Sequence, residues 1–195
     1  MSTPAAAAAA STSPVASHTA AEQAGTWNVS TGSLVGYRVK EILFGQTNVA
    51  VGRTGDITGS ITVDGTKVTA GSFTVDMTTV TSDESRRDGQ FNGRIMETGT
   101  YPTATFKLTQ PIDLGSIPAE GVQKTYRATG ELTLHGVTKT VVFEVTARHT
   151  ASDIEVAGSI PITFADYNIG NPSFGGVVTT EDNGILEFSL NFSQA

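Results

Sequence analysis

A chain of 195 residues with 38% hydrophobic residues is sized for one globular domain, or one domain plus a tail, at roughly 150 residues per domain; a second full-sized domain and a wholly disordered chain are both excluded. With 12 basic and 19 acidic residues the formal net charge is −7, which repels polyphosphate and argues against a nucleic-acid partner. The lack of cysteine removes disulfides, thiolate catalysis and Cys-based metal sites, and 21 glycines with only 16% charged residues favour β structure with many turns over helical bundles.

Residues 1–25 are rich in Ala, Ser, Thr and Pro, and Glu22 is their one charged side chain. Such a stretch cannot bury enough apolar area to offset its ordering entropy, so it reads as a disordered leader or linker ahead of a domain spanning 26–195. A secretory signal needs a basic n-region, yet the first Lys or Arg is Arg38, so the leader is not an intact signal peptide. It suits a linker behind a removed export signal or anchor, which points to the cell envelope or the exterior, with the cytoplasm as the alternative. No run approaches the roughly 20 apolar residues of a spanning helix, so no membrane span is expected.

From Trp27 onward, alternation with period two dominates, placing successive side chains on opposite faces of a sheet. The first strand is Val35 to Leu43, with Val35, Tyr37 and Val39 inward. Ile57, Ile61 and Val63 mark the next, and Phe73, Val75 and Met77 a third, joined by an Asp64-Gly65 turn of hairpin type. Between Thr81 and Tyr101 the alternation stops. The run Ser82 to Asp88 looks like a capped helix start with acidic residues in the first turn, and Arg87, Phe91 and Ile95 recur at helical spacing, while Gly89 and Gly93 weaken the helix. A short strand follows around Ala104, Phe106 and Leu108. Then come Thr125 to Leu134 and Val141 to Ala147, separated by a His135-Gly136 turn, and Ile154 to Ile162. Phe164 to Gly176 reads as a long aromatic loop before the last strand, Ile185 to Phe192. Eight strands with one apolar face each, joined antiparallel, are satisfied by a closed barrel, which has no exposed edges. The fold expected is therefore all-β: an eight-stranded antiparallel lipocalin-like barrel with one short helix across its mouth.

Sites for chemistry are scarce. There is no phosphate-binding lysine loop, dinucleotide glycine fingerprint, HExxH or GxSxG. Of the three histidines, His18 lies in the leader and His135 in a turn; with His149 they read as surface or turn residues, not metal ligands, and no cofactor is expected. The acidic residues Asp76, Asp83, Glu84 and Asp88 could serve a hydrolase, but charges at a helix start mostly stabilise it, and Arg87 beside Asp88 fits a tie between helix and sheet. Arg38 and Lys40 fall on a polar strand face, where they aid solubility and protect an edge. An eight-stranded barrel is wide enough to be filled by its own side chains or to hold one slender ligand. Large rings at inward or lid positions, with Ala128, Gly130 and Gly158 where a barrel wall would be thin, suit either outcome, and periodicity does not choose between them.

Several ordered stretches are similar to the YceI family of lipocalin-like lipid- or polyisoprenoid-binding proteins. They are Gly25-Thr26-Trp27-Asn28-Val29, Tyr37-Arg38-Val39, Arg86-Arg87-Asp88, Tyr101-Pro102-Thr103-Ala104-Thr105-Phe106, Gly130 through Lys139 and Phe174-Gly175. Gly130-Glu131-Leu132-Thr133-Leu134-His135-Gly136-Val137-Thr138-Lys139 is the most specific, resembling the family's G-x-L-T-L-x-G-V-T-K strand and turn. Glu41 and Gln90 stand where many members carry His, and the Phe-Ala-Asp-Tyr loop resembles an actinobacterial-type branch whose members often carry an N-terminal membrane anchor. The resemblance implies an elongated apolar pocket for an isoprenoid or other long-chain lipid, no catalysis, and often a homodimer. Wall residues on this reading are Phe73, Phe106, Tyr126, Phe143, Ile160 and Phe188, with Phe91, Ile95 and Phe174 around the mouth and Arg38 or Arg94 at a polar head. The rival readings are a hydrolase using the acidic cluster and a filled-core adhesion or scaffold module.

Overall fold

The structure is a computed structural model, and it describes residues 23–195; the leader expected over 1–25, including His18, lies almost wholly outside them. Thirteen strands form one sheet. In chain order they are β1 (Gly25–Val29), β2 (Leu34–Leu43), β3 (Gln46–Thr54), β4 (Ile57–Asp64), β5 (Lys67–Asp76), β6 (Thr81–Ser82), β7 (Thr103–Leu108), β8 (Ile112–Asp113), β9 (Lys124–Leu134), β10 (Val137–His149), β11 (Asp153–Thr163), β12 (Val178–Thr180) and β13 (Asn183–Gln194). One short helix, α1 (Ser85–Gln90), runs into a π-helical turn, Phe91–Ile95.

Eight strands close on themselves in the order β1-β4-β5-β7-β9-β10-β11-β13, with β13 returning to β1, and every pairing is antiparallel. Closure leaves no edge within the ring, which satisfies its backbone polar groups internally. The β9–β10 ladder, one of the two longest, is set by its turn. At His135-Gly136 both residues have positive φ, 49° and 74°, the signature of the primed turn whose twist matches the flanking strands; it fixes Leu134 opposite Val137 and, at the eleventh pair, Lys124 opposite Ala147.

The ring contains eight strands as expected, but its first member is β1, not the strand from Val35. β13 divides its partners: Phe192 and Gln194 pair with β1, and Ile185 to Ser189 pair with β2. β2 and β3 form a hairpin that leaves the ring at one end, so Arg38 and Lys40 lie on a strand paired on both sides and protect no edge. Arg38 instead bridges Glu187 at 2.6 Å. The segment 164–176 is not one loop before the last strand: it starts with a 3-10 turn, Phe164–Tyr167, and leads into β12, which pairs with β2.

The helix starts as expected in position but not in mechanism. Glu84 occupies the N-cap without a side-chain bond. Asp88 reaches back instead, its carboxylate accepting from the Ser82 N–H at 2.8 Å and the Ser82 hydroxyl at 2.6 Å, which staples α1 onto β6. After Gly89 the helix widens into the π turn, where the Met96 N–H bonds the Phe91 carbonyl five residues back at 2.8 Å. Arg87, Phe91 and Ile95 nonetheless face the barrel interior.

Trp27 closes the ring. It pairs with Gln194 on one side and Ile61 on the other, is 2% exposed, and packs in a cluster with Ile57, Val63, Leu190 and Phe192. Its indole N–H donates to the Gln23 carbonyl at 3.0 Å. Trp27→Ala is expected to cost about 3–5 kcal/mol in urea unfolding followed by circular dichroism; a loss below about 1 kcal/mol would show that β1 does not hold the ring together.

Candidate functional site

The interior of the barrel is hollow. A cavity of about 890 Å³ runs through it, in the upper range of small-molecule sites, and its lining is overwhelmingly apolar. Five phenylalanines form a girdle around it. Phe73 of β5 lies 6.4 Å from Phe106 of β7, Phe106 lies 5.4 Å from Phe143 of β10, Phe143 lies 5.9 Å from Phe188 of β13, and Phe73 meets Phe192 of β13 at 5.9 Å. Except for the nearly parallel first pair, these are edge-to-face contacts, the arrangement aromatic quadrupoles favour.

Glycine keeps the girdle against the wall. Gly59 pairs directly with Phe73, and Gly158 with Phe188. A methyl group added to Gly158 would sit 2.6 Å from the Phe188 ring, one on Gly130 2.3 Å from the Phe106 ring, and one on Gly59 2.7 Å from the Phe73 ring. The rings therefore lie over bare backbone, where any other residue would push them into the lumen. Gly130 and Gly158 are thus not thin places in the wall, as their size alone suggests; each is roofed by a ring.

The helix end carries the polar groups. Tyr37 of β2 stacks on Phe91 at 5.1 Å with an 11° interplanar angle. Beside them Arg87 bridges Glu41 at 3.3 Å and also Asp83, and Asn48 donates to the same Glu41 carboxylate at 2.8 Å. This pair of a buried Glu41 and a half-buried Arg87 ties α1 to β2, the role expected of Arg87. Burial works against the Arg87 charge, but Asp83 and Glu41 outweigh it and hold its pKa above the ordinary arginine value. Burial also pushes the Tyr37 phenol up to about 12, against a smaller opposing pull from Arg87. Arg94, on the π turn, donates to the Pro172 carbonyl at 3.1 Å, and its guanidinium lies 5.7 Å from the centre of the Phe174 ring, strapping the helix end to the 164–176 segment.

At the other end Leu114, Ile117, Pro118 and Val122 of the segment 114–123 line the cavity. His149 pins this segment by donating from Nε2 to the Pro118 carbonyl at 2.8 Å. Tyr126 lines the cavity near there; its buried hydroxyl finds no hydrogen-bond partner among the described residues, and burial raises its pKa.

Of the residues singled out from sequence, Phe73, Phe91, Ile95, Phe106, Tyr126, Phe143, Ile160, Phe174, Phe188 and Arg94 all line this one cavity. Arg38 does not, because its guanidinium is engaged with Glu187. His135 and His149 are buried, correcting their reading as surface or turn side chains: His135 sits in its turn yet bonds the Tyr167 carbonyl and Glu97, each at 3.1 Å. Three of the four acidic residues are occupied structurally. Asp76 accepts from the N–H and hydroxyl of Thr78, which lower its pKa, Asp83 pairs with Arg87 and Asp88 with Ser82, while Glu84 stands exposed at the N-cap of α1 without a side-chain cap bond. Sequence reasoning missed the Glu41–Arg87 pair, since its partners are 46 residues apart, and it missed the segment 114–123 as a cover.

The YceI-like domain family matches residues 27–192. The chain belongs to this family. Among solved structures it is similar to a polyisoprenoid binding domain from Saccharophagus degradans implicated in plant cell wall breakdown, at 19% identity and a TM-score of 0.71, covering 91% of this chain and 100% of that one. It is also similar to BcnA of Burkholderia cenocepacia (23% identity, TM-score 0.60, 80% and 95% covered) and to a Campylobacter jejuni YceI protein (19%, 0.61, 74% and 84%). No curated protein matches at a significant level. At these identities the structural likeness establishes the YceI fold, and the cavity described above is this chain's own.

Two outcomes test this geometry. Gly158→Val is expected to drive Phe188 into the lumen, costing about 1–3 kcal/mol and weakening uptake of an apolar fluorescent dye; a folded variant with unchanged dye affinity would contradict the roofing of glycine by the ring. Because folding raises the Tyr37 pKa from the free value of 10.0 to about 12, its protonated form is the one the fold favours, and its contribution to stability is full below the free value and lost as pH rises through about 12. A spectrophotometric titration of the folded protein should show a late-ionising tyrosine that is missing in Tyr37→Phe; an unaltered alkaline limb in that variant would place the burial elsewhere.

Proposed function

We propose that this protein binds a long-chain isoprenoid or similar lipid without catalysing a reaction on it, acting as a carrier or scavenger. The observation that carries the reading is the Phe girdle, three of whose rings lie over glycine, around a cavity of about 890 Å³: side chains long enough to reach into the barrel lie along its wall. Removing a prenyl chain from water into such a space is favourable by roughly 25 cal/mol per Å² of apolar surface. The tail fits between the girdle residues Phe73, Phe106, Phe143 and Phe188, and the polar head belongs at the helix end, within reach of Arg94. Support comes also from the Saccharophagus degradans domain, which is described as polyisoprenoid binding, and from the structural engagement of Asp76 with Thr78, Asp83 with Arg87 and Asp88 with Ser82.

The test is displacement of an apolar dye by a polyprenol in the purified protein. Wild type is expected to show saturable, stoichiometric displacement. Phe143→Trp, which enlarges a ring in the middle of the girdle, should weaken long-chain binding about tenfold or more while the urea midpoint holds. No displacement by any long-chain lipid, or equal affinity in the folded variant, would count against the reading.

A further inference from the structure

The cavity does not end at a polar rim on the helix side. The β2–β3 hairpin tip and the loop before β12 project there together, joined by the Phe44 N–H donating to the Val177 carbonyl at 3.1 Å. Phe44 is 79% exposed and Phe174 62%, with Ile42 and Val177 exposed beside them. Phe44, Phe174 and Val177 also line the cavity, so the exposed patch is continuous with the interior.

The tip is built at conformational cost. Phe44 and Gly45 have φ of 49° and 80°, and a two-residue hairpin turn with both angles positive favours Asn or Asp at its first corner. A bulky aromatic there is an outlier. It packs no core in return, since it stands almost wholly in solvent, which marks it as a residue that meets something outside the chain.

The charges around the patch narrow what it meets. Arg87 is shared between Glu41 and Asp83, and Arg86 and Arg94 stand exposed beside Glu84. The rim thus balances three guanidiniums against three carboxylates, with two of the guanidiniums free of any ion pair with them, on a chain of net charge −7. Exposed aromatics flanked by arginines match the boundary of a bilayer, where rings enter the acyl region and guanidinium groups meet headgroup phosphate.

We propose that this end of the barrel docks on a lipid bilayer, with Phe44, Phe174 and Val177 inserted and Arg86 and Arg94 at the phosphates. The inference rests on the lipid-carrier reading: a tail leaving the membrane would pass from acyl chains to the Phe girdle without crossing water. A bilayer of zwitterionic lipid supplies phosphate without a net negative surface that would repel the rest of the chain.

The experiment is co-flotation of the full chain with phosphatidylcholine vesicles, alongside the polyprenol displacement in vesicle-free solution. Wild type is expected to float with the vesicles at low and high salt, since apolar insertion survives screening. Phe44→Asn supplies the residue the turn prefers, so folding stability should hold or rise while vesicle partitioning falls about tenfold or more. In Phe44→Trp, emission should shift to the blue when vesicles are added, against a background from the buried Trp27. Wild type that binds polyprenol but stays off vesicles would overturn docking and leave the carrier intact. Flotation unchanged in Phe44→Asn would overturn the placement of the surface. A blue shift that follows protein concentration in the absence of vesicles would overturn it in favour of a second copy covering the patch.

Discussion

The hollow interior depends on one steric arrangement: a phenylalanine ring lying over a glycine on the adjacent strand. A barrel of eight strands has room in its lumen for a layer of side chains, and five phenylalanines are more than sufficient to fill it. Gly59, Gly130 and Gly158 counter that by offering three of the rings, Phe73, Phe106 and Phe188, a place on the wall. Each glycine in a strand gives up about 0.5–1 kcal/mol of backbone entropy relative to alanine, and an unfilled lumen forfeits dispersion contacts. Stability has to come from elsewhere, and the structure shows where: closed ladders of antiparallel pairs, the Trp27 cluster at one end, and the Tyr37–Phe91 stack with its Glu41–Arg87 pair at the other.

That division of labour also separates the chemistry of the two ends. The segment 114–123, held by His149, covers one, while the helix end combines polar groups with an apolar rim. Arg94 belongs to both features, because it straps the π turn to Pro172 and covers the face of Phe174. The π turn itself follows from Gly89 and Gly93, which lower the helix propensity at the place where the chain must bend to bring Phe91 inward and leave Arg94 outside.

Much of this was legible in the sequence, for reasons that can be stated residue by residue. β9 alternates Tyr126, Ala128, Leu132 and Leu134 against Arg127, Glu131 and Thr133, and it is buried and exposed accordingly. β3 was illegible because its pattern is inverted. Its buried residues are Ala50, Gly52 and Thr54, small or polar, while Val49 faces solvent; Gly52 is needed bare because Tyr37 lies over it. β1 is five residues with one buried side chain, too short for a period to show. The question of a filled or hollow barrel turned on register. Only once Gly158 is known to face Phe188, 30 residues further along and past β12, does the small residue become a support for the ring and not a thin wall.

The central claim is that the space inside the barrel is occupied by a lipid in the protein's working state. Native mass spectrometry of protein purified without detergent from the cells that make it tests this most directly. The account predicts one non-covalent adduct per chain, with the mass of a long-chain lipid, lost on denaturation. A folded chain flying at its bare mass would contradict it.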